Sequence, residues 1–421
     1  MSYQAPRGME DILPAGIGRW QALEERIRGL AHRWGFREIR TPVVEHTEVF
    51  RKTVGEGTDI IEHEMYTFDD RGGRSLSLRP EGTAAVMRSY LEHGGASWPQ
   101  PVKVYYIAPM FRYDRPQLGR YRQHYQFGAE IIGAPGPEAD AEVLSLPVRL
   151  MQSLGLQNVE VHLNSVGDAV CRPRFIEVVR EYFSRHVEAL CADCRRRLET
   201  NPLRIFDCKK EGCHAIARGA PTMLEYLDPA CRGHLEGVQA NFDSLGIRYV
   251  FDPYIMRGLD YYTRTAVEVF SGKLGAQNTM FGGGRYDGLA EQLGGRPTPG
   301  VGFGFGLERL LLVLEQEGLR IPTKRPRLTA YVITIGEAAK REGARLLDEL
   351  REAGIPADRD LLERGVQAQM RQADRLGARV ALILGDAELK ARKVTVRKLA
   401  TGTERRVSRK RVLEAVWETT G

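Results

Sequence analysis

The chain has 421 residues, 42% hydrophobic and 28% charged, which suits an ordinary globular protein of two or three domains and excludes a disordered, collagen-like or disulfide-scaffold chain. No apolar run approaches the ~18–20 residues that span a bilayer, and the opening MSYQAPRGMEDILP lacks a basic n-region and an apolar h-region, so a cytoplasmic protein with no membrane partner is expected. The net charge of +6 is uneven: residues 323–421 carry 22 Lys+Arg against 14 Asp+Glu, or +8, and the rest 39 against 41, which leaves a polyanion partner and a merely solvated surface both open for the last quarter.

Trp20, Leu23, Ile27, Leu30, Ala31 and Trp34 recur at helical spacing before Gly35, predicting the first helix. Alternation from Phe36 to Val44 predicts a strand, with Pro42 as an edge or a break. Strands are expected at Ser75–Leu78, Val102–Ala108 and Tyr125–Ile132, and helices at Thr83–Glu92 and Glu138–Leu154. Strands clustered with few intervening helices imply an α+β fold whose sheet is mixed and largely antiparallel. Residues from about 168 to 248 are Arg- and Cys-rich and helical in pattern, as an insertion would be. Strand signals return at Arg248–Asp252 and Thr265–Ser271, and Gly282–Gly288 is taken as a flexible loop before the glycine-dense run Gly300–Gly306. The Pro/basic stretch Ile321–Arg327 divides a body, 1–322, from a tail, 323–421. In the tail a βαβαβ pattern through Val380–Leu384 predicts a small α/β domain with a parallel sheet.

Three segments carry chemistry. In Gly300-Val-Gly-Phe-Gly-Phe-Gly306 the period of a strand puts all four glycines on one face, so that either a flat ligand lies against bare backbone or another element packs closely there. A helix starting at Leu307 places Arg309 in its first turn, where anions are favoured. No P-loop or dinucleotide fingerprint is present, so a nucleotide site must be of another kind. From Phe111 to Glu130, a strand meets a loop with Arg112, Arg115, Arg120 and Arg122 and returns as a strand bearing Gln126 and Glu130 on one face. Guanidinium forks and aromatic neighbours suit phosphate and RNA, and a charged surface hairpin is the bland alternative. Arg257-Gly-Leu-Asp-Tyr-Tyr-Thr263 is a polar, aromatic cluster that could equally be a turn.

The segment around Pro42, Phe111–Glu130 and Gly302-x-Gly304-x-Gly306-x-Glu308-Arg309 resemble motifs 1, 2 and 3 of the class II aminoacyl-tRNA synthetases. Arg257–Thr263, Leu78-Arg-Pro-Glu81-Gly-Thr83 and Arg7–Pro14 resemble the histidyl branch of that class. The resemblance implies a class II catalytic domain with a mostly helical insertion, and an anticodon-binding domain in the tail. It implies a ligase that joins L-histidine to ATP as the adenylate, releases pyrophosphate, and passes histidine to the 3′-terminal adenosine of tRNA(His). Arg112, Arg257 and Arg309 are implied to be catalytic through charge stabilisation on phosphates, with Mg²⁺ accompanying ATP. Arg112, Asp114, Gly304 and Arg309 are implied for ATP; Asp114 stands where the class usually has glutamate. Glu81, Thr83, Gln126, Glu130, Arg257, Tyr261 and Tyr262 are implied for histidine, and Arg115, Gln117 and Arg120 for the tRNA acceptor end. Family members are homodimers through motif 1.

Cys191-x2-Cys194 with Cys208-x4-Cys213-His214 has the look of a zinc knuckle. The family as a whole does not require zinc and cysteines often serve as small buried apolar residues, so structural zinc is not the favoured reading and no metal ligand is assigned. The alternative function is a regulatory paralogue that binds histidine as a subunit of ATP phosphoribosyltransferase. Such proteins lack the anticodon module and tend to lose motif arginines, and this chain keeps both.

Overall fold

The computed structural model describes residues 3–55, 58, 60–157, 159–208, 210–256, 261–272, 279–323 and 328–420. The chain forms two compact units, Met1–Thr323 and Lys324–Gly421. The first unit begins with α1 (Ile17–Arg33), β1 (Arg37–Glu38), β2 (Val44–His46), α2 (Thr47–Val54), β3 (Tyr66–Asp69), β4 (Ser75–Leu78) and α3 (Thr83–Glu92). It continues with β5 (Val102–Phe111), β6 (Gln123–Ile132), α4 (Pro137–Ser153), β7 (Val159–Ser165), α5 (Arg172–Ser184), α6 (Ala192–Thr200), α7 (Glu211–Arg218) and α8 (Pro229–Ser244). It closes with β8 (Val250–Phe251), β9 (Thr263–Ser271), β10 (Thr279–Arg285), α9 (Leu289–Gln292), β11 (Gly300–Gly306) and α10 (Leu307–Gln316).

Eight of these strands form one sheet in the order β1-β5-β6-β11-β10-β9-β7-β8. Its two outer pairs, β1/β5 and β7/β8, are parallel and every inner pair is antiparallel. Helix α1 exists because Trp20, Leu23, Ile27, Leu30 and Ala31 bury one stripe, and it stops where Gly35 takes φ +77°. The expected strand over 36–44 is instead two short strands in different sheets, since β2 joins β4 and β3 in a separate three-stranded sheet. The buried Arg79 guanidinium holds that corner, donating to Thr41 O (2.8 Å), Pro42 O (3.3 Å) and Pro109 O (2.9 Å).

The excursion between β7 and β8 is helical, with α5 to α8 and short 3₁₀ turns. Gly282–Gly288 is not a flexible loop: β10 runs through Arg285, buried between β9 and β11. Arg285 is wholly buried and closes a network, its Nη1 donating to Ala134 O (3.0 Å) and Asp287 Oδ1 (3.0 Å) and its Nε to Asp140 Oδ2 (3.1 Å). His234 Nε2 reaches Asp140 Oδ1 at 3.2 Å. Burial pushes the Asp140 carboxyl up, but His234 and Arg285 together hold it below the usual carboxylate range. This network pins the end of β10 to the start of α4.

The second unit holds β12 (Ala330–Thr334), α11 (Glu337–Glu352), β13 (Ala357–Arg359), α12 (Val366–Arg375), β14 (Val380–Leu384), α13 (Asp386–Ala391), β15 (Lys393–Lys398), β16 (Glu404–Ser408) and α14 (Val412–Thr420). Its sheet order is β13-β12-β14-β15-β16. Only the first three strands are parallel; the expected all-parallel sheet is extended by an antiparallel hairpin, β15/β16, rich in Lys and Arg. Helices α11 and α14 supply the core on one face and α12 on the other.

Replacing Arg285 by Ala leaves Asp140 buried without its main partner, and chemical denaturation should show a loss of ~3–5 kcal/mol, as for other broken buried ion pairs. A loss under ~1 kcal/mol, the range of exposed pairs, would mean that the network does not bear on stability.

Candidate active site

The site is built on one face of the eight-stranded sheet, where pairing lines up Tyr106, Gly128, Gly304, Gly282 and Glu268 across five strands. The next row is Val104, Glu130, Gly302, Gly284 and Ala266. On the opposite face Phe303 packs edge-on against Phe127 at 5.1 Å between ring centroids, with Phe281 at 5.7 Å. Alternation thus gives one apolar face and one face cut down to backbone.

That second face is not left bare for a ligand along its whole length. A Cβ on Gly302 would lie 1.6 Å from Glu130 Oε2, one on Gly304 2.5 Å from Gln126 Nε2, and one on Gly300 2.2 Å from the Tyr286 ring. The glycines make room for three polar side chains that cross the strand, so close packing by neighbours, one of the two readings of the sequence, is what occupies Gly300, Gly302 and Gly304. Gly304 and Gly306 still line a neighbouring cavity with Gly282.

Glu130 is fully buried, accepting from Thr83 Oγ1 (2.8 Å) and Tyr286 OH (2.5 Å). Burial pushes its carboxyl up to about 8, with the charge of nearby Glu81 adding and the two hydroxyl donors opposing. Glu81 is also buried and raised by burial; its oxygens accept the Thr83 and Ala84 N–H groups at 2.7 and 3.0 Å, capping α3. The hydroxyls of Tyr106, Tyr261 and Tyr286 are pushed well above their ordinary value, first by burial, so each is a neutral donor. The Tyr261 ring sits 4.7 Å from Tyr262 and 5.8 Å from Tyr286. Gln126 Oε1 is buried with no partner among the described residues, an acceptor suited to an ammonium group.

Along the same face of β6, where Gln126 stands four residues before Glu130, is a cavity of about 290 Å³ lined by Gln126, Arg112, Arg120, Arg309, His124 and Glu308 among others. Arg112 follows β5 and is aimed by its Nε donating to Pro80 O at 2.9 Å. Arg309, in the first turn of α10, donates to Gly119 O (2.8 Å) and Thr279 O (2.7 Å). Its guanidinium is lowered by burial and then by the charges of Arg112 and Arg120. The same two causes, burial and then Arg112 with Arg309, drop the His124 imidazole to about 3, so it is neutral. Burial raises Glu308 to about 7, one oxygen accepting the Tyr125 N–H at 2.8 Å. Three arginines converge on the cavity, of which Arg120 is ion-paired with Asp114 and Glu64, while the printed bonds of Arg112 and Arg309 go to backbone carbonyls, an arrangement that suits an anion.

The sequence-predicted residues Glu81, Thr83, Glu130, Tyr261 and Tyr262 come together in the first pocket, and Arg112, Asp114, Gln126, Gly304 and Arg309 line the second. Arg120 is not on the outer surface of its loop: it lines the cavity, ion-paired with Asp114 and with Glu64 at 3.2 Å. Arg115 and Gln117 are exposed. Arg257, with Gly258, Leu259 and Asp260, lies outside the described residues. Local sequence pattern does not single out Tyr106, Tyr286 or His124: strand pairing brings Tyr106 into the glycine row, Tyr286 follows the end of β10, and His124 lines the arginine cavity.

The antiparallel sheet with an arginine at the end of one hairpin strand, and a second on the helix following the glycine strand, defines a class II aminoacyl-tRNA synthetase. The sequence profile for histidyl-tRNA synthetase matches residues 8–310, and that for an anticodon-binding domain matches residues 329–419. The chain is 50% identical over 415 residues to a "Histidine--tRNA ligase" of Desulforudis audaxviator, 98% of each chain being covered. A like-named protein of Halothermothrix orenii is 48% identical over 404 residues, 96% of each. The crystal structure of apo S. aureus histidyl-tRNA synthetase superposes with a TM-score of 0.81 at 40% identity, covering 99% of this chain and 100% of that one. The chain belongs to the histidyl-tRNA synthetase family.

The raised Glu130 carboxyl has a consequence for stability. Folded, it holds its proton up to about 8, whereas an unfolded glutamate releases it near ~4.3. Between those values the folded chain binds the extra proton, so stability falls as pH rises through the window and levels off above it. Glu130→Gln should remove that part of the slope in urea unfolding at pH 5 and pH 8. An unchanged slope would show that Glu130 is ionised in the folded chain throughout.

Proposed function

We propose that the chain activates L-histidine with ATP, giving histidyl-adenylate and pyrophosphate, and then esterifies histidine to the 3′-terminal adenosine of tRNA(His). In the first step the histidine carboxylate attacks the α-phosphorus and pyrophosphate leaves, so the protein has no bond of its own to make. Its work is to align the two substrates and to neutralise charge as it grows on the phosphates. Arg112, lining the same cavity as Gln126, is suited to the α-phosphate and Arg309 to the γ-phosphate, with Arg257 as a further positive charge and Mg²⁺ bound with ATP. His124, neutral among these arginines, adds no competing charge.

Glu81, Thr83 and the unpartnered oxygen of Gln126 are assigned to the ammonium group, and Glu130 with Tyr261 to the ring. A neutral imidazole offers one donor and one acceptor, and a carboxyl poised near neutrality can answer either. A side chain without those groups leaves the pocket's buried polar atoms unpaired, a form of rejection that reaches ~10⁴–10⁵. The observation that carries the reading is that Gln126, which lines the arginine-rich cavity, and Glu130, buried against Thr83 and Tyr286, stand four apart on one face of β6.

The anticodon-binding tail, with its +8 balance, is the proposed contact for the far end of the tRNA, and the exposed Arg115 and Gln117 for its acceptor end, with Arg120 reached through the loop. A homodimer is supported by the exposed apolar side chains of Val43, Val44 and Phe68 on the three-stranded sheet and its entry. No helix among the described residues is long and apolar enough to cross a membrane. The regulatory-subunit alternative is disfavoured by the anticodon-binding match and by full-length likeness to ligases.

ATP–pyrophosphate exchange measured with each of the twenty amino acids should respond to histidine alone; exchange with another amino acid, or with none, refutes the assignment. Arg257→Ala should lower histidine-dependent exchange by ~10²–10³ while tRNA binding persists. Unaltered exchange would remove Arg257 from the reaction.

A further inference from the structure

We propose that Cys191, Cys194, Cys208 and Cys213 hold one zinc ion in a tetrahedral, all-thiolate site that ties together the helical excursion between β7 and β8. The structure favours the reading that sequence alone set aside. The four sulfurs all lie within 4.8 Å of one another, with Cys191 and Cys208 4.0 Å apart. Sulfurs placed tetrahedrally at the usual zinc–sulfur distance are about 3.8 Å apart, so the cluster is close to the required size. All four cysteines are free, and two disulfides would need each sulfur within about 2.05 Å of one partner. Four sulfurs gathered at one point and left unbonded form a cage.

The surroundings suit thiolates. Cys191 precedes α6 and Cys194 lies in its first turn, while Cys213 lies in the first turn of α7, so two helix starts face the cluster. The Cys191 N–H donates to Cys213 Sγ at 3.3 Å, a contact of the kind that orients metal ligands from outside. Cys194, Cys208 and Cys213 are buried and Cys191 is partly exposed, which leaves one side open for an ion to enter. Helices of nine and eight residues are too short to hold by themselves. An ion bridging α6, the segment at Cys208 and α7 would add to the cohesion given by Leu198, Ile205 and Phe206, which are buried in the main core.

A second group serves as an internal control. Asp168, Cys171, Asp228 and Cys231 are equally close together but offer only two sulfurs; Asp228 Oδ1 caps α8 through the Cys231 N–H (2.9 Å) while its Oδ2 is buried without a partner among the described residues, and Asp168 Oδ1 accepts from Val170 N–H (3.0 Å). Asp168 Oδ2 also meets Arg264 at 3.3 Å.

The test is metal analysis of the full-length chain grown with zinc and passed through gel filtration. Stoichiometric zinc, released by a mercurial thiol reagent, is expected in the unaltered protein and in Cys231→Ser, and its loss in Cys208→Ser. Protein grown in cobalt(II), which does not depend on a variant that folds, should show the intense visible and thiolate charge-transfer bands of a tetrahedral all-sulfur ion. Folded protein without stoichiometric zinc overturns the proposal. So do zinc retained in Cys208→Ser, zinc lost from Cys231→Ser, or a cobalt spectrum without thiolate bands.

Discussion

Everything at the site depends on how closely Glu130 approaches the backbone of Gly302. A carboxylate on one strand can lie flat across the next only if the facing residue has no side chain, and the distance from Glu130 Oε2 to the place of a Cβ leaves no room for even a methyl group. The same arrangement repeats along the strand, with Tyr286 over Gly300 and Gln126 over Gly304. The glycine run is therefore a mould for polar side chains from its neighbours. Those side chains are fixed by strand register instead of by flexible loops, which suits a pocket that must distinguish one amino acid from nineteen others.

Burial sets the electrostatics of both halves. In the carboxyl half, loss of water keeps Glu130 and the surrounding tyrosines protonated, so the pocket is a set of neutral donors and acceptors. In the arginine half, cations that cannot shed their protons are held together by carbonyls at Pro80, Gly119 and Thr279. Their mutual repulsion is relieved when a polyphosphate arrives. One face of the sheet thus sets a buried pocket of hydroxyls and carboxyls next to an arginine-rich cavity.

Much of this was legible in the sequence, for identifiable reasons. Ser75–Leu78, Thr83–Glu92 and Val380–Leu384 fall where alternation and helical spacing place them. Gln126 and Glu130 share a face because a strand's period is two, and Arg309 opens a helix because the glycine alternation ends at Gly306. The failures share a cause. Strand β10 looks like a loop in sequence because three successive glycines have low strand propensity; burial between two neighbours and the Arg285 network override it. The hairpin β15/β16 was hidden by Lys and Arg on its exposed side, although Val394 and Val396 are buried. Tyr106 and Tyr286 acquire their roles from pairing across strands, which no local pattern reports.

The most direct measurement is a crystal structure of the chain with a non-hydrolysable histidyl-adenylate analogue. The account predicts an imidazole nitrogen within hydrogen-bond distance of the Glu130 carboxyl, the amino group against Gln126 Oε1, and the phosphate mimic beside Arg112. An analogue seated elsewhere, with Glu130 bonded only to Thr83 and Tyr286, would contradict it.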